Sequence, residues 1–291
     1  MLDVAFQLSG IAPTATGAEL AGVLTSLREA GYRRVVVPRW DLTGVDLHAA
    51  ADVLAAAEIA PIAMCGQTPD ADVSSADPAI AARGLATLRG AVDTATILGA
   101  DQLNGVPYGC FGPTAALPEP AAFERAARAV GIVADEAAAR GVSMTFEVLN
   151  RYETALINTA EQAVDFVAAS GSSMLRIHLD SYHMGIEEAD LTAALRVALP
   201  HLGYLELGQS GRGYLDGGLI DLDRVIRTAL SLGYRGRWGV ETFTRPVLPA
   251  PVADRLAIWR TTYTDGLEVA RGAMAVLTGV AEVDPGPDNL G

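Results

Sequence analysis

The chain has 291 residues, half of them apolar, enough for one large core and a length that single α/β barrels commonly reach. Its formal net charge of −14 excludes nucleic acid and anionic membrane surfaces as partners, because binding either depends on Lys and Arg neutralising phosphate. All 21 basic side chains are arginine, so no lysine is available for a Schiff base to substrate or to pyridoxal phosphate.

From the N-terminus, "MLDVAFQLSG" lacks the charged start and long apolar centre of a secretory leader, and no run of about 18 apolar residues follows. A cytoplasmic protein is expected. Cys65 and Cys110 have no CxxC spacing and read as reduced thiols.

Short runs rich in Val, Ile, Leu and Phe then alternate with longer Ala-rich amphipathic stretches. In chain order the pairs are strand 2–8 with helix 17–30, 33–37 with 47–58, 60–64 with 78–98, and 101–105 with 120–139. They continue with 142–148 and 159–169, 174–180 and 187–198, 201–207 and 221–232, 237–242 and 252–278. Strands that are almost continuously apolar suit a parallel sheet covered by helices. Eight β-then-α units predict a single-domain (β/α)8 TIM barrel over 1–280. The polar tail 281–291 is expected to be loosely ordered. Gly31, Gly99, Gly141 and Gly233 each follow a helix and precede a strand, as C-terminal caps do. A doubly wound sheet loses its main support, since no GxGxxG follows the first strand and no GxxxxGK[ST] occurs.

Barrel enzymes place their chemistry at the C-terminal ends of strands. Glu147 ends strand five in "SMTFEVLN", Asp180 ends strand six in "LRIHLD", Glu206 lies near the end of strand seven, and Glu241 ends strand eight in "WGVET". Four ionised carboxylates at one barrel mouth repel each other unless something positive lies among them. A hard divalent cation such as Mn²⁺ or Mg²⁺ answers that need. The alternative is that two or three of them form ordinary ion pairs at helix starts.

The stretches "EVLNRYETALINT", "HLDSYHMGIEEADL" and "GRGYLDGGLIDLDRVIRTALSLGY" resemble the ketose 3-epimerases of the xylose isomerase-like barrels. The likeness extends through "SSADPAIAARGLATLRGAVDTATILGAD" and "RLAIWRTTYTDGLEVARGAM", most of the chain. It implies a divalent metal, usually Mn²⁺ or Co²⁺, held by Glu147, Asp180, Glu206 and Glu241, with Glu147 and Glu241 also moving protons on opposite faces of the sugar carbon. It implies that Glu153, His183 and Arg212 hold the carbonyl end of the sugar. In the family the position of Glu206 is usually histidine, and Tyr204 replaces a second histidine. Glu206 either ligates the ion or turns to pair with Arg212, six residues on.

Phe6, Trp40, Cys65, Tyr108 and Phe111 lie at or beyond early strand ends and are candidates for the apolar wall of a sugar pocket, Phe6 and Cys65 above all. Each reads equally as core packing. His48, His178 and His201 receive no role, His178 reading as a hydrogen-bonded core residue.

The resemblance implies C3 epimerisation of a free ketose and a homodimer or homotetramer. An aldose–ketose isomerase would use the same groups. So would a lyase or dehydratase acting on an oxidised sugar or a C-glycoside. A sugar-binding homologue without activity and a metal-dependent endonuclease are weaker alternatives, the last opposed by the acidic balance and by only four histidines.

Overall fold

The computed structural model describes residues 2–40, 44–113 and 116–282. Eight strands close into a barrel in sequence order: β1 (Val4–Gln7), β2 (Arg34–Val36), β3 (Ala60–Gln67), β4 (Gln102–Cys110), β5 (Ser143–Glu147), β6 (Arg176–Asp180), β7 (Leu202–Leu207) and β8 (Arg237–Val240). Every neighbouring pair is parallel, β8 returning to β1. The expected (β/α)8 barrel is the observed one.

Around it lie α1 (Gly17–Glu29), α2 (Leu47–Ala56), α3 (Pro78–Leu98), α4 (Pro120–Ala138), α5 (Ala160–Ser170), α6 (Ser181–Glu187), α7 (Leu191–Ala198), α8 (Leu222–Ser231), α9 (Ala250–Arg255) and α10 (Gly266–Glu282). Local chemistry sets these bounds. Asp77 accepts from the backbone N–H of Ala79 and Ile80, Pro78 opens α3, and Gly99 ends it at φ 72°, a left-handed turn that glycine adopts without strain.

One expected helix starts late and another is divided. The stretch 187–198 yields α7 only from Leu191, because Asp190 caps it, while α6 starts earlier on its own cap, Asp180. The stretch 252–278 breaks between α9 and α10. Ala257 takes φ 54°, Thr244 Oγ1 donates to the Tyr263 carbonyl, and Asp265 accepts from the N–H of Leu267 and Glu268. Tertiary hydrogen bonds there outweigh helical propensity. Strands β3 and β4 run past their expected ends, and their close approach uses Gly105, whose φ of 118° and proximity to the Cys65 backbone leave no place for a Cβ. Of the tail, residues 283–291 lie outside the described residues.

Side chains alternate across each strand. The outward set, including Phe6, Met144, Phe146, Ile177, Leu205 and Trp238, packs under the helices in the main core. A smaller inward cluster of Ala5, Val36, Ile62 and Tyr204 fills the barrel centre with Met64 against it. Among the described residues no helix is long and apolar enough to cross a membrane.

Candidate active site

The same alternation places the carboxylates. On β5 to β8 the inward pairs are Thr145 and Glu147, His178 and Asp180, Tyr204 and Glu206, and Gly239 and Glu241, the last just past β8. The upper member of each pair is acidic, so four consecutive strands deliver four buried carboxylates to one end of the barrel. Asp180 pairs with Glu206 across β6 and β7, and Glu206 with Gly239 across β7 and β8. Gly239 makes room: a Cβ there would lie 2.7 Å from Glu206 Oε1.

Cationic groups lie between the acids. His183 Nε2 is 3.3 Å from Glu147 Oε1, 3.7 Å from Asp180 Oδ2 and 3.9 Å from Glu153 Oε2. Its Nδ1 accepts from the Asn150 backbone N–H at 3.1 Å, which turns Nε2–H toward the carboxylates. Arg212 forms a close ion pair with Glu241 and lies 3.6 Å from Glu153 Oε1. Gln7 Nε2 donates to the other Glu241 oxygen at 3.4 Å. Arg212 therefore does not turn to Glu206; the close partner of Glu206 is His178, whose Nε2 is 3.2 Å from Oε2.

Arg212 is held in an uncommon conformation, φ 53° on a non-glycine residue. Its guanidinium lies 4.2 Å from the centroid of the Tyr182 ring and 4.7 Å from that of Phe243, and the aromatic faces fix the group while leaving its N–H edge to the acids.

Electrostatics distinguish the carboxylates. Burial pushes Glu147 upward, but the His178 charge, the His183 hydrogen bond and Arg212 outweigh it and hold Glu147 well below the usual range. Burial raises Asp180 and Glu206, with like charge adding to it. Burial favours neutral His178 and His183, yet the surrounding carboxylates raise both above the ordinary histidine value.

These residues fit a divalent cation. Glu147, Asp180 and His183 offer ligand atoms all within 4.8 Å of one another, as do Asp180, Glu206 and Glu241, and Glu147, His178 and Glu206. Asp180 Oδ2 is buried without a hydrogen-bond partner, as expected of an oxygen meant for a metal. An oxygen-rich donor set suits Mn²⁺ or Mg²⁺.

The structure brings together Glu147, Glu153, Asp180, His183, Glu206, Arg212 and Glu241. Phe6 and Cys65 are not in this cluster. Phe6 faces outward, opposite Ala5 and Gln7, and meets the Tyr32 ring edge-on at 5.4 Å; Cys65 joins the helix-facing core while Met64 faces in. Trp40 and Tyr108 are also core residues, and Phe111 packs against that core. Tyr108 still serves the site at one remove, donating its hydroxyl to the Glu147 carbonyl at 2.8 Å. Two polar neighbours, Gln7 and Asn150, were not singled out from the sequence, and a third, His178, was read as a hydrogen-bonded core residue although neither ring nitrogen has a hydrogen-bond partner. Counting back two residues from Asp180 finds His178, and the equivalent parity on β1 finds Gln7; Asn150 sits in a loop with no period to reveal it.

Comparison with known proteins follows the same line. The model of the xylose isomerase-like TIM barrel family matches residues 24–271. The L-ribulose 3-epimerase of Mesorhizobium japonicum is 33% identical over 259 residues, 89% of this chain and 87% of that protein. The ketose 3-epimerase of Arthrobacter globiformis is 36% identical over 250 residues, 86% of each. The crystal structure of D-allulose 3-epimerase from Methylomonas sp. in complex with D-allulose has a TM-score of 0.90 at 28% identity, covering 96% of each chain. The chain thus belongs to the xylose isomerase-like TIM barrels and, within them, to the ketose 3-epimerases, sugar epimerases of the isomerase class.

Proposed function

We propose that the protein is a divalent-metal-dependent ketose 3-epimerase acting on a free, unphosphorylated ketose. The observation that carries this reading is the separation of Glu147 and Glu241 by strands β6 and β7, with Asp180 and Glu206 between them. Each outer glutamate has its own cationic partner, His183 or Arg212.

Glu147, Asp180, Glu206 and Glu241 would hold the ion, which when bound polarises the ketone and acidifies the neighbouring C3–H. One of Glu147 and Glu241 removes the C3 proton to leave a cis-enediolate, and the other returns a proton to the opposite face, inverting C3. His183 and Arg212 donate to substrate oxygen as negative charge develops there, and Glu153 orients both. Glu206 would hold the ion with a carboxylate, whose negative charge would weaken the ion's pull on a carbonyl oxygen, and His183 and Arg212 would offset that effect.

This reading assigns the enzyme to the cytoplasm, where its two cysteines, Cys65 and Cys110, stay as reduced thiols. It also assigns a homodimer or homotetramer joined through mouth loops that expose Leu117, Leu219 and Trp259; sedimentation of a monomer at micromolar concentration would refute the association.

The test is NMR of a ketopentose and ketohexose panel incubated with the Mn²⁺-loaded protein in D₂O. Deuterium at C3 together with a new epimer is expected. Label at C1 or C2 with formation of an aldose would mean isomerisation instead, and no exchange despite bound metal would overturn free-ketose epimerisation.

A further inference from the structure

The mechanism above leaves one buried imidazole in the barrel unused. His178 faces inward on β6, one inward step below Asp180, and is 2% exposed. Neither ring nitrogen makes a hydrogen bond, although buried polar groups are almost always paired. A packing histidine would give Nδ1–H to a carbonyl or hydroxyl. Its cross-strand neighbour Tyr204 instead meets the ring edge-on, with centroids 4.7 Å apart, and the Tyr204 hydroxyl has no partner either.

The surroundings of the ring are those of a ligand. Nε2 lies 3.2 Å from Glu206 Oε2 without the alignment of a hydrogen bond. One nitrogen of His178 and one oxygen each of Glu147 and Glu206 fall within 4.8 Å of one another. Metal bonds of about 2.0–2.2 Å to imidazole nitrogen and carboxylate oxygen bring donors to similar separations, so small side-chain adjustments would complete the set. Glu147 and Glu206 also belong to the triads that contain Asp180, so this nitrogen adjoins the same carboxylate cluster.

We propose that His178 supplies a nitrogen ligand to the divalent ion, with Glu147 and Glu206 as its carboxylate partners. This rests on the reading that the carboxylate cluster binds a divalent cation. A nitrogen donor shifts preference from Mg²⁺ toward Mn²⁺ and Co²⁺, so the ion preferred by this site is set from β6 as well as by its carboxylates.

Pulsed EPR of the Mn²⁺-loaded full-length protein tests this directly, because a bound imidazole gives a ¹⁴N coupling that carboxylates cannot. The coupling is expected in the wild type, absent in His178→Gln, and retained in His183→Gln, where His178 is the remaining imidazole of the cluster. In calorimetric titrations His178→Gln should lose about tenfold or more in Co²⁺ affinity while Mg²⁺ affinity changes little. Loss of the coupling in His183→Gln would overturn the assignment even if His178→Gln failed to fold. So would its absence in a wild type that binds Mn²⁺, with Asp180→Asn abolishing that binding: the carboxylate site would stand and His178 would not belong to it. A wild type that binds no divalent ion would overturn both readings.

Discussion

Glu147 and Glu241 differ in what holds them: a histidine anchored by Asn150 on one side, an arginine clasped by two aromatic rings on the other. Replacing either carboxylate with an amide preserves shape and removes proton transfer, so Glu147→Gln and Glu241→Gln should each lower kcat by roughly 10²–10⁴-fold. Both should retain the wild-type circular dichroism; near-normal turnover in either would remove that residue from the proton path. Arg212→Lys is a separate test. Lysine keeps the charge but lacks the planar fork that touches Glu241 and Glu153 while lying against Tyr182 and Phe243. We expect kcat/KM to fall by about 10²-fold, the order of one lost donor to developing charge; an unchanged value would make the arginine only a counter-charge. The acids were legible in the sequence because strand ends and motif spacing announce them. Phe6 and Cys65 were misplaced because position along a strand does not reveal which way a side chain faces, and the parity that corrects them also exposes Gln7 and His178.

At the scale of elements, helix bounds were readable wherever a polar cap and a terminal glycine bracket an apolar period, as on α3. They failed at α9 and α10, where Thr244 Oγ1 holds the Tyr263 carbonyl in the intervening loop and Asp265 accepts from the backbone N–H of Leu267 at the start of α10. Thr159 caps α5 in a reciprocal box with Gln162, far from any substrate group. Thr159→Ala should cost ~1 kcal/mol by chemical denaturation, with unchanged turnover and Mn²⁺ affinity. Gly239 on β8 is the opposite case, since the methyl of Gly239→Ala would press on Tyr204 and on Glu206 Oε1. Overpacking of this kind costs about 1–3 kcal/mol, and displacement of Glu206 should weaken Mn²⁺ binding as well. If stability falls and Mn²⁺ affinity does not, Glu206 is not part of the ion's coordination.

Across the whole molecule, the two ends of the barrel answer different needs. The C-terminal end concentrates acids around the reaction, and the N-terminal end closes with a charge network that the apolar pattern did not reveal. There Arg34 bonds to Asp3 and Asp101, and Arg237 bonds to Asp101 and to Gln102, tying β2, β4 and β8 together below the core. Burial pushes Asp101 upward, but hydrogen bonding to Arg34 and the charge of Arg237 outweigh it and leave its carboxyl below the ordinary value. A carboxylate lowered on folding contributes stability that is present above its unfolded pKa, near 4, and is lost as pH falls through the lower folded value. Asp101→Asn should therefore melt below the wild type at pH 7, and the gap should narrow as both are taken from about pH 5 to pH 3. With its side chain 46% exposed, Asp101 is partly screened, so 0.5 M salt should also shrink the gap at neutral pH. A melting difference that stays constant over that acid range would mean that Asp101 acts through shape and hydrogen bonding alone, and that the charge of this network does not stabilise the closed barrel.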